Sequence, residues 1–187
     1  MKRIPSIKIK TVLPSVFLAV LSILAGCEDR QTEASADSEA LQNSQAVDMG
    51  KQPWALDIEE ATVNNPNYRA AKWTGEHLQM VLMSLKPDEE IDLELHKDVD
   101  QFIRIEQGEA RIRMGKSKDD LSFDKTVSDD WAILIPAGHY HHNRNTGNSE
   151  LKLYSIYAPV EHKAGTIHKT YQEARDSHQK QERENKR

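Results

Sequence analysis

Cysteine is nearly missing from this 187-residue chain: Cys27 stands alone, so no internal disulfide can staple the fold and no thiolate cluster can select a soft metal. Positive charge is also in deficit, with 25 Lys and Arg against 30 Asp and Glu, a formal charge of -5 and a pI near 5.9. That balance excludes the basic field a nucleic-acid binder needs. No apolar run reaches the roughly 20 residues a bilayer-spanning helix requires. What remains, 37% hydrophobic and 29% charged residues, suits one globular domain with polar extensions. Its stability has to come from packing, with a metal as the available reinforcement. Small polar molecules or metal cations are the fitting partners.

Residues 1–27 read as an export signal, outside the fold. Lys2, Arg3, Lys8 and Lys10 precede an apolar run, interrupted by Pro14 and Ser15, that continues as VFLAVLSILAG to Cys27. Its end, LAGC, resembles the lipobox of bacterial lipoproteins, where small residues fit the signal peptidase and the thiol accepts a diacylglyceryl group. A plain cleaved signal with an incidental cysteine is the competing reading. The resemblance implies lipidation at Cys27 and an exported, membrane-anchored chain facing the periplasm. Residues 28–52 are rich in Ser, Ala, Gln and acids with few large apolar residues, the composition of a disordered tether. Two acyl chains give stable anchoring without a span.

The folded part is expected over residues 53–168. ALDIEEATV, before the turn formers NNPN of 64–67, suggests a short helix. Beyond it, short β-rich runs separated by Gly, Pro, Asp and Asn lie at 68–73, 77–85, 91–96, 101–105, 110–114, 131–135 and 151–157. Regular short strands of this kind point to a sandwich or barrel. Residues 115–130 read as a polar excursion with at most one short strand at 121–123. The tail, residues 169–187, reads as a helix that is polar on nearly every side.

The chemistry gathers in two stretches. Around ELHKDVDQFI, residues 94–103, strand alternation puts Asp92, Glu94 and His96 on one face and Ile91, Leu93 and Leu95 on the other. The polar face is either a metal site or only the wetted side of a strand. The apolar row needs cover, which a second copy of the chain in a homodimer or the N-terminal segment would supply. Gln101 shares its parity with Ile103 and Ile105, so a polar amide heads an inward row and needs a partner. In IPAGHYHHNRN, Pro136 and Gly138 make a tight turn, after which His139, His141, Asn143 and Asn145 share a face. Three histidines in four residues make poor core packing, and a hydrated hairpin is the alternative.

Together the two stretches resemble the paired motifs of the cupin family. The first, Gly, five residues, His-x-His, three or four residues, Glu, six residues, Gly, runs here from Asp88 through Glu94, His96 and Gln101 to Gly108; Asp100 fits the three-residue gap but not the six residues to Gly108. The second, Gly, five residues, Pro-x-Gly, two residues, His, three residues, Asn, runs from Asp130 through Pro136, Gly138 and His141 to Asn145. Spacing holds throughout; identity departs at Asp88, Asp130, Glu94 and Gln101. The stretch is also similar to small bacterial cupins labelled mannose-6-phosphate isomerase-like, although fold does not fix chemistry.

The resemblance implies an all-β fold: a single cupin-type jelly-roll β-barrel with a short N-terminal helix and a polar C-terminal helix. It implies a divalent transition metal (Mn, Fe, Ni, Co or Zn) held by Glu94, His96, Gln101 and His141, a nitrogen and oxygen set. His139, Asp100, Asn145 and Tyr154 are expected beside the ligands or on the pocket rim. Two functions fit: a lipid-anchored metalloenzyme acting on a small polar or sugar-like molecule by oxygenation, isomerisation or lyase chemistry, or a binding module that only holds its ligand. A barrel without metal is the third reading.

Overall fold

The computed structural model describes residues 48–185. The expected export signal with Cys27, and the expected tether as far as residue 47, lie outside the described residues. The elements in chain order are α1 (Ile58–Val63), β1 (Arg69–Thr74), β2 (Gln79–Leu85), β3 (Glu90–Leu95), β4 (Asp100–Gln107), β5 (Glu109–Gly115), β6 (Phe123–Ser128), β7 (Ala132–Ile135), β8 (Tyr140–Asn145), β9 (Leu151–Ala158), β10 (Ile167–His168) and α2 (Tyr171–Asn185). They form a six-stranded sheet, β10-β1-β2-β9-β4-β7, and a four-stranded sheet, β3-β8-β5-β6, all antiparallel. This is the expected jelly roll.

Alternation builds the core between the sheets. Val81, Met83 and Leu85 of β2, Ile103 and Ile105 of β4, and Leu151 and Leu153 of β9 meet Ile91, Ala110 and Ile112 from the other sheet. β2 is buried along its whole length, because its outer side is covered too. There Lys152 Nζ donates to Ser84 Oγ at 2.8 Å and to the Asn65 carbonyl at 3.0 Å, which ties the segment after α1 to the sheet. Asp57 caps α1 by accepting from the Glu60 N–H.

Two expectations from the sequence change. The polar excursion contains a full strand, β6, paired with β5 from Glu109↔Ser128 to Met114↔Phe123. Its sequence FDKTVS buries only Val127, so it carries almost no hydrophobic alternation, and cross-strand contacts such as Arg111 to Asp124 support it instead. The parity of β3 also breaks. Its pairing with β8 shifts register between Ile91 and Glu94, a bulge that returns Ile91 to the core at 1% exposure while Leu93 is 43% exposed. Ile91, Leu93 and Leu95 therefore form no common apolar row.

The two aspartates at the leading-glycine positions adopt the backbone those glycines would have. Asp88 has φ 67° and Asp130 φ 68°, both left-handed, as is Gly138 at φ 71°. Aspartate tolerates this region better than most non-glycine residues. Each carboxylate is also anchored, Asp88 to Arg144 and Asp130 to Arg104. Replacing Asp130 by valine, whose branched Cβ suits this region badly, should cost about 1–2 kcal/mol. Asp130→Gly should stay within about 0.5 kcal/mol of wild type. Denaturant unfolding of the two variants checks the order, and equal stability would contradict it.

Candidate metal centre

Glu94 and His141 face each other in register across the β3–β8 ladder, and His96 follows just beyond the end of β3. The Gly138 N–H donates to the His96 carbonyl at 2.8 Å, so the Pro-x-Gly turn that launches β8 also fixes the histidine arriving from β3. As a result Glu94, His96 and His141 each bring one ligand atom within 4.8 Å of the others. His141 is fully buried and His96 is 9% exposed.

The second ring nitrogens are already occupied. His141 Nδ1 lies 3.1 Å from the His139 carbonyl oxygen, and His96 Nδ1 lies 3.2 Å from Glu161 Oε1. Each imidazole thus offers its outer N–H to an oxygen and turns Nε2 toward Glu94 Oε1, at 3.1 Å for His141 and 3.4 Å for His96. Two nitrogen lone pairs aimed at one carboxylate oxygen repel unless protons or a cation lie between them. A divalent cation meets that requirement with one carboxylate and two imidazoles.

Gln101 enters the same interior from the opposite sheet. Its Nε2 donates to Ser155 Oγ at 2.9 Å, which leaves its Oε1 buried without a hydrogen-bond partner. An amide held in this way presents its carbonyl oxygen, the donor a fourth ligand would use.

The supporting residues divide. His139 serves His141 through its backbone, while its own Nδ1 lies 3.1 Å from the Pro136 carbonyl oxygen. Asp100 is exposed and accepts from the Ala137 N–H at 2.8 Å, so it holds the turn and leaves the ligands alone. Asn145 is buried four residues along β8 from His141, donates to the Leu85 and Ser149 carbonyls and accepts from the Gly147 N–H. It stabilises a loop away from the ligands. Tyr154 lies between inward-facing Leu153 and Ser155, so alternation turns it to the outer face, against Phe102.

Residues that motif spacing does not mark complete the site. Gln79 clasps His162 with both ends of its amide, Nε2 donating to the His162 carbonyl at 2.8 Å and Oε1 accepting its N–H at 2.9 Å. This draws Glu161 onto His96 and the His162 ring edge-on to Tyr157, at 5.0 Å between centroids. Arg69, on β1, lines a cleft together with Glu94. The larger cavity, about 320 Å³ and lined by Trp54, Leu56, Lys72 and Leu82, contains none of the ligand groups.

Charge follows from these contacts. Burial opposes ionisation of Glu94, but the His141 and His96 contacts outweigh it and hold the carboxyl well below the usual range. Burial likewise opposes charge on His96, yet Glu161 and Glu94 raise it to about 9. His162 is pushed down to about 3 by burial and by the charge of Arg69, so it is neutral at physiological pH.

Comparison with known proteins agrees with the geometry. Residues 81–157 match the family described as Cupin domain. The chain is 54% identical over 127 residues to YrkC of Bacillus subtilis, covering 68% of this chain and 68% of that protein. It is 44% identical over 117 residues to a protein of Acanthamoeba polyphaga mimivirus, covering 62% and 71% respectively. A crystal structure from Bacillus halodurans is similar at TM-score 0.69 and 50% identity, over 70% of this chain and 98% of that chain.

The histidines make stability without metal depend on pH in two directions. His96 binds its proton more tightly folded, about 9, than unfolded, 6.5. Its contribution is full below 6.5 and is lost as pH rises through about 9. His162 does the reverse, so its contribution is lost as pH falls from 6.5 through about 3. Chelator-treated protein should therefore melt at its highest temperature near neutral pH. The alkaline decline should be absent from His96→Gln; an equal decline there would contradict the assignment.

Proposed function

We propose, for a chain that belongs to the cupin family, a divalent-metal site inside the barrel at which a small polar or sugar-like molecule is bound and converted. The observation that carries this reading is the convergence of His96 Nε2 and His141 Nε2 on Glu94 Oε1. Glu94, His96 and His141 would hold the ion, with Gln101 Oε1 as the fourth donor. A bound Mn, Fe, Ni, Co or Zn ion would supply Lewis-acid or redox chemistry at a substrate oxygen. The protein's own contribution is orientation. Glu161 and the His139 carbonyl fix the two imidazoles, Ser155 fixes the amide, and the buried walls exclude water. Oxygenation, isomerisation and lyase chemistry all fit such a site.

The export signal and lipobox support placing this activity in the cell envelope, with Cys27 as the lipid anchor. The tether expected over residues 28–52 ends sooner, at residue 47, because Asp48 bonds Thr74 and the Gly165 N–H, the Met49 N–H donates to the Lys72 carbonyl, and the Gln52 carbonyl accepts from Trp73 Nε1. A homodimer fits the outer face of the six-stranded sheet, where Phe102, Leu134 and Ile156 are cross-strand neighbours and Leu134 is 70% exposed.

Elemental analysis of the full chain, purified without chelator or affinity metal, should find about one divalent transition metal ion per chain. Combined His96→Ala and His141→Ala substitution should abolish it, and full metal content in that double variant would sink the reading. Cys27→Ser should move the protein from the membrane fraction to the soluble fraction; unchanged membrane attachment would contradict the anchor.

A further inference from the structure

The six-stranded sheet ends at β10 and the four-stranded sheet at β3, and no ladder among the described residues joins β10 or β1 to β3. The Tyr68 hydroxyl crosses this seam, donating to the Glu90 carbonyl at 2.7 Å. Beside it lies a cleft of about 40 Å³, bounded by Arg69 of β1, by Asp92 and Glu94 of β3, and by α2. With α2 in place the cleft holds a few waters at most. The helix therefore covers a sheet edge and, with it, a side of Glu94.

The face that α2 turns to this cleft is poor in apolar surface. Tyr171, Ala174, Arg175 and His178 stand at i, i+3, i+4 and i+7, one stripe of the helix. Ala174 alone among its described side chains is buried. One carboxylate supplies the polar grip: Tyr171 donates to Asp92 Oδ1 at 2.5 Å, and Arg175 Nε lies 3.3 Å from Asp92 Oδ2. Burial and the Asp92 hydrogen bond push the Tyr171 phenol up, so it stays the donor. Both partners of the ion pair are nearly half exposed, at 44% and 48%, and such pairs add little. Tyr171 also meets the Tyr68 ring at 5.5 Å between centroids. A polar helix of 15 residues is marginal without tertiary support. Its start is held more firmly, because β10 pairs with β1 and the Tyr68 N–H donates to the Lys169 carbonyl.

Asp92 also sits within the bulge of β3, two residues before Glu94. The backbone that grips the helix is thus the backbone that turns Glu94 toward the histidines. Elements with few buried apolar contacts open at far lower free energy than the core around them. We propose that α2 is a detachable cover: it leaves Asp92 while the barrel stays folded, pivoting after β10, and its release opens a side entrance to Glu94 through which the ion is exchanged. The entrance rests on the metal reading of the site; the detachment of the helix does not.

The test places a reporter thiol in the full chain by Ala174→Cys and follows its reaction with a maleimide by mass spectrometry of the peptide carrying residue 174, so that Cys27 does not interfere. Ala110→Cys, fully buried on β5, reports opening of the barrel as a whole. Position 174 should label at least about tenfold faster than position 110. Asp92→Ala should speed labelling at 174 about tenfold further, the loss of a hydrogen bond to a charged group, with position 110 unchanged. Tyr171→Phe, which leaves β3 untouched, should speed it by a smaller factor. In protein purified with its metal, release to EDTA should quicken several-fold in both variants. Equal labelling at 174 and 110, or labelling at 174 indifferent to Asp92 and Tyr171, would overturn the cover. Faster labelling with unchanged metal release would overturn the entrance. A metal-free wild type in which position 174 still responds to Asp92→Ala would defeat the metal reading and support the cover.

Discussion

One carboxylate oxygen facing two imidazole nitrogens organises this molecule. Glu94 Oε1 can face both His141 and His96 only because a bulge in β3 turns it inward, the β3–β8 register sets it opposite His141, and the Pro-x-Gly turn holds the His96 carbonyl. Each device lies in backbone geometry, fixed before any ion is involved. The strands around them are packed with aliphatic side chains that leave the barrel few ways to relax. The arrangement is therefore preorganised for a charge between the three groups.

The contacts that hold the ligand side chains reach across the barrel. Gln79 on β2 grips the backbone of His162, and through that grip Glu161 arrives at His96 and His162 at Tyr157. Asp48 extends the chain of supports, bonding the Gly165 N–H and Thr74 and so tying the start of the described chain to the loop that leads into β10. The wall that carries Arg69 is thus braced from both ends. Helix α2 closes the outside of that wall with few apolar contacts: Ala174 is buried, and Tyr171 donates to Asp92. Its polar sequence is what a surface brace requires.

Much of this was legible in the sequence, for physical reasons that differ by residue. Spacing between glycine, proline and histidine positions is a record of turn geometry, so the two motifs located Glu94, His96, Gln101 and His141 despite four changed identities. Asp88 and Asp130 show why the spacing survived: the backbone kept the left-handed turn after the glycine was lost. Strand alternation placed Ile103, Ile105 and Gln101 correctly because β4 is regular on that side. It failed for Ile91 because a bulge inserts one residue into the count, and nothing in EIDLEL marks where. Asn145, the last position of the second motif, serves a loop, and Tyr154, expected at the pocket rim, faces outward against Phe102. Arg69 and Glu161 could not be found in this way, since their neighbours are distant in sequence and only the closed barrel brings them together.

X-ray absorption spectroscopy of the metal-bearing full chain addresses the central claim most directly, because scattering from the outer atoms of imidazole rings counts the histidines bound. The account predicts a nitrogen and oxygen shell with two imidazoles, from His96 and His141, and no sulfur. Three imidazoles would bring His139 into the shell and displace Glu94 or Gln101 from it. One imidazole, or none, would contradict the convergence on which the whole account rests.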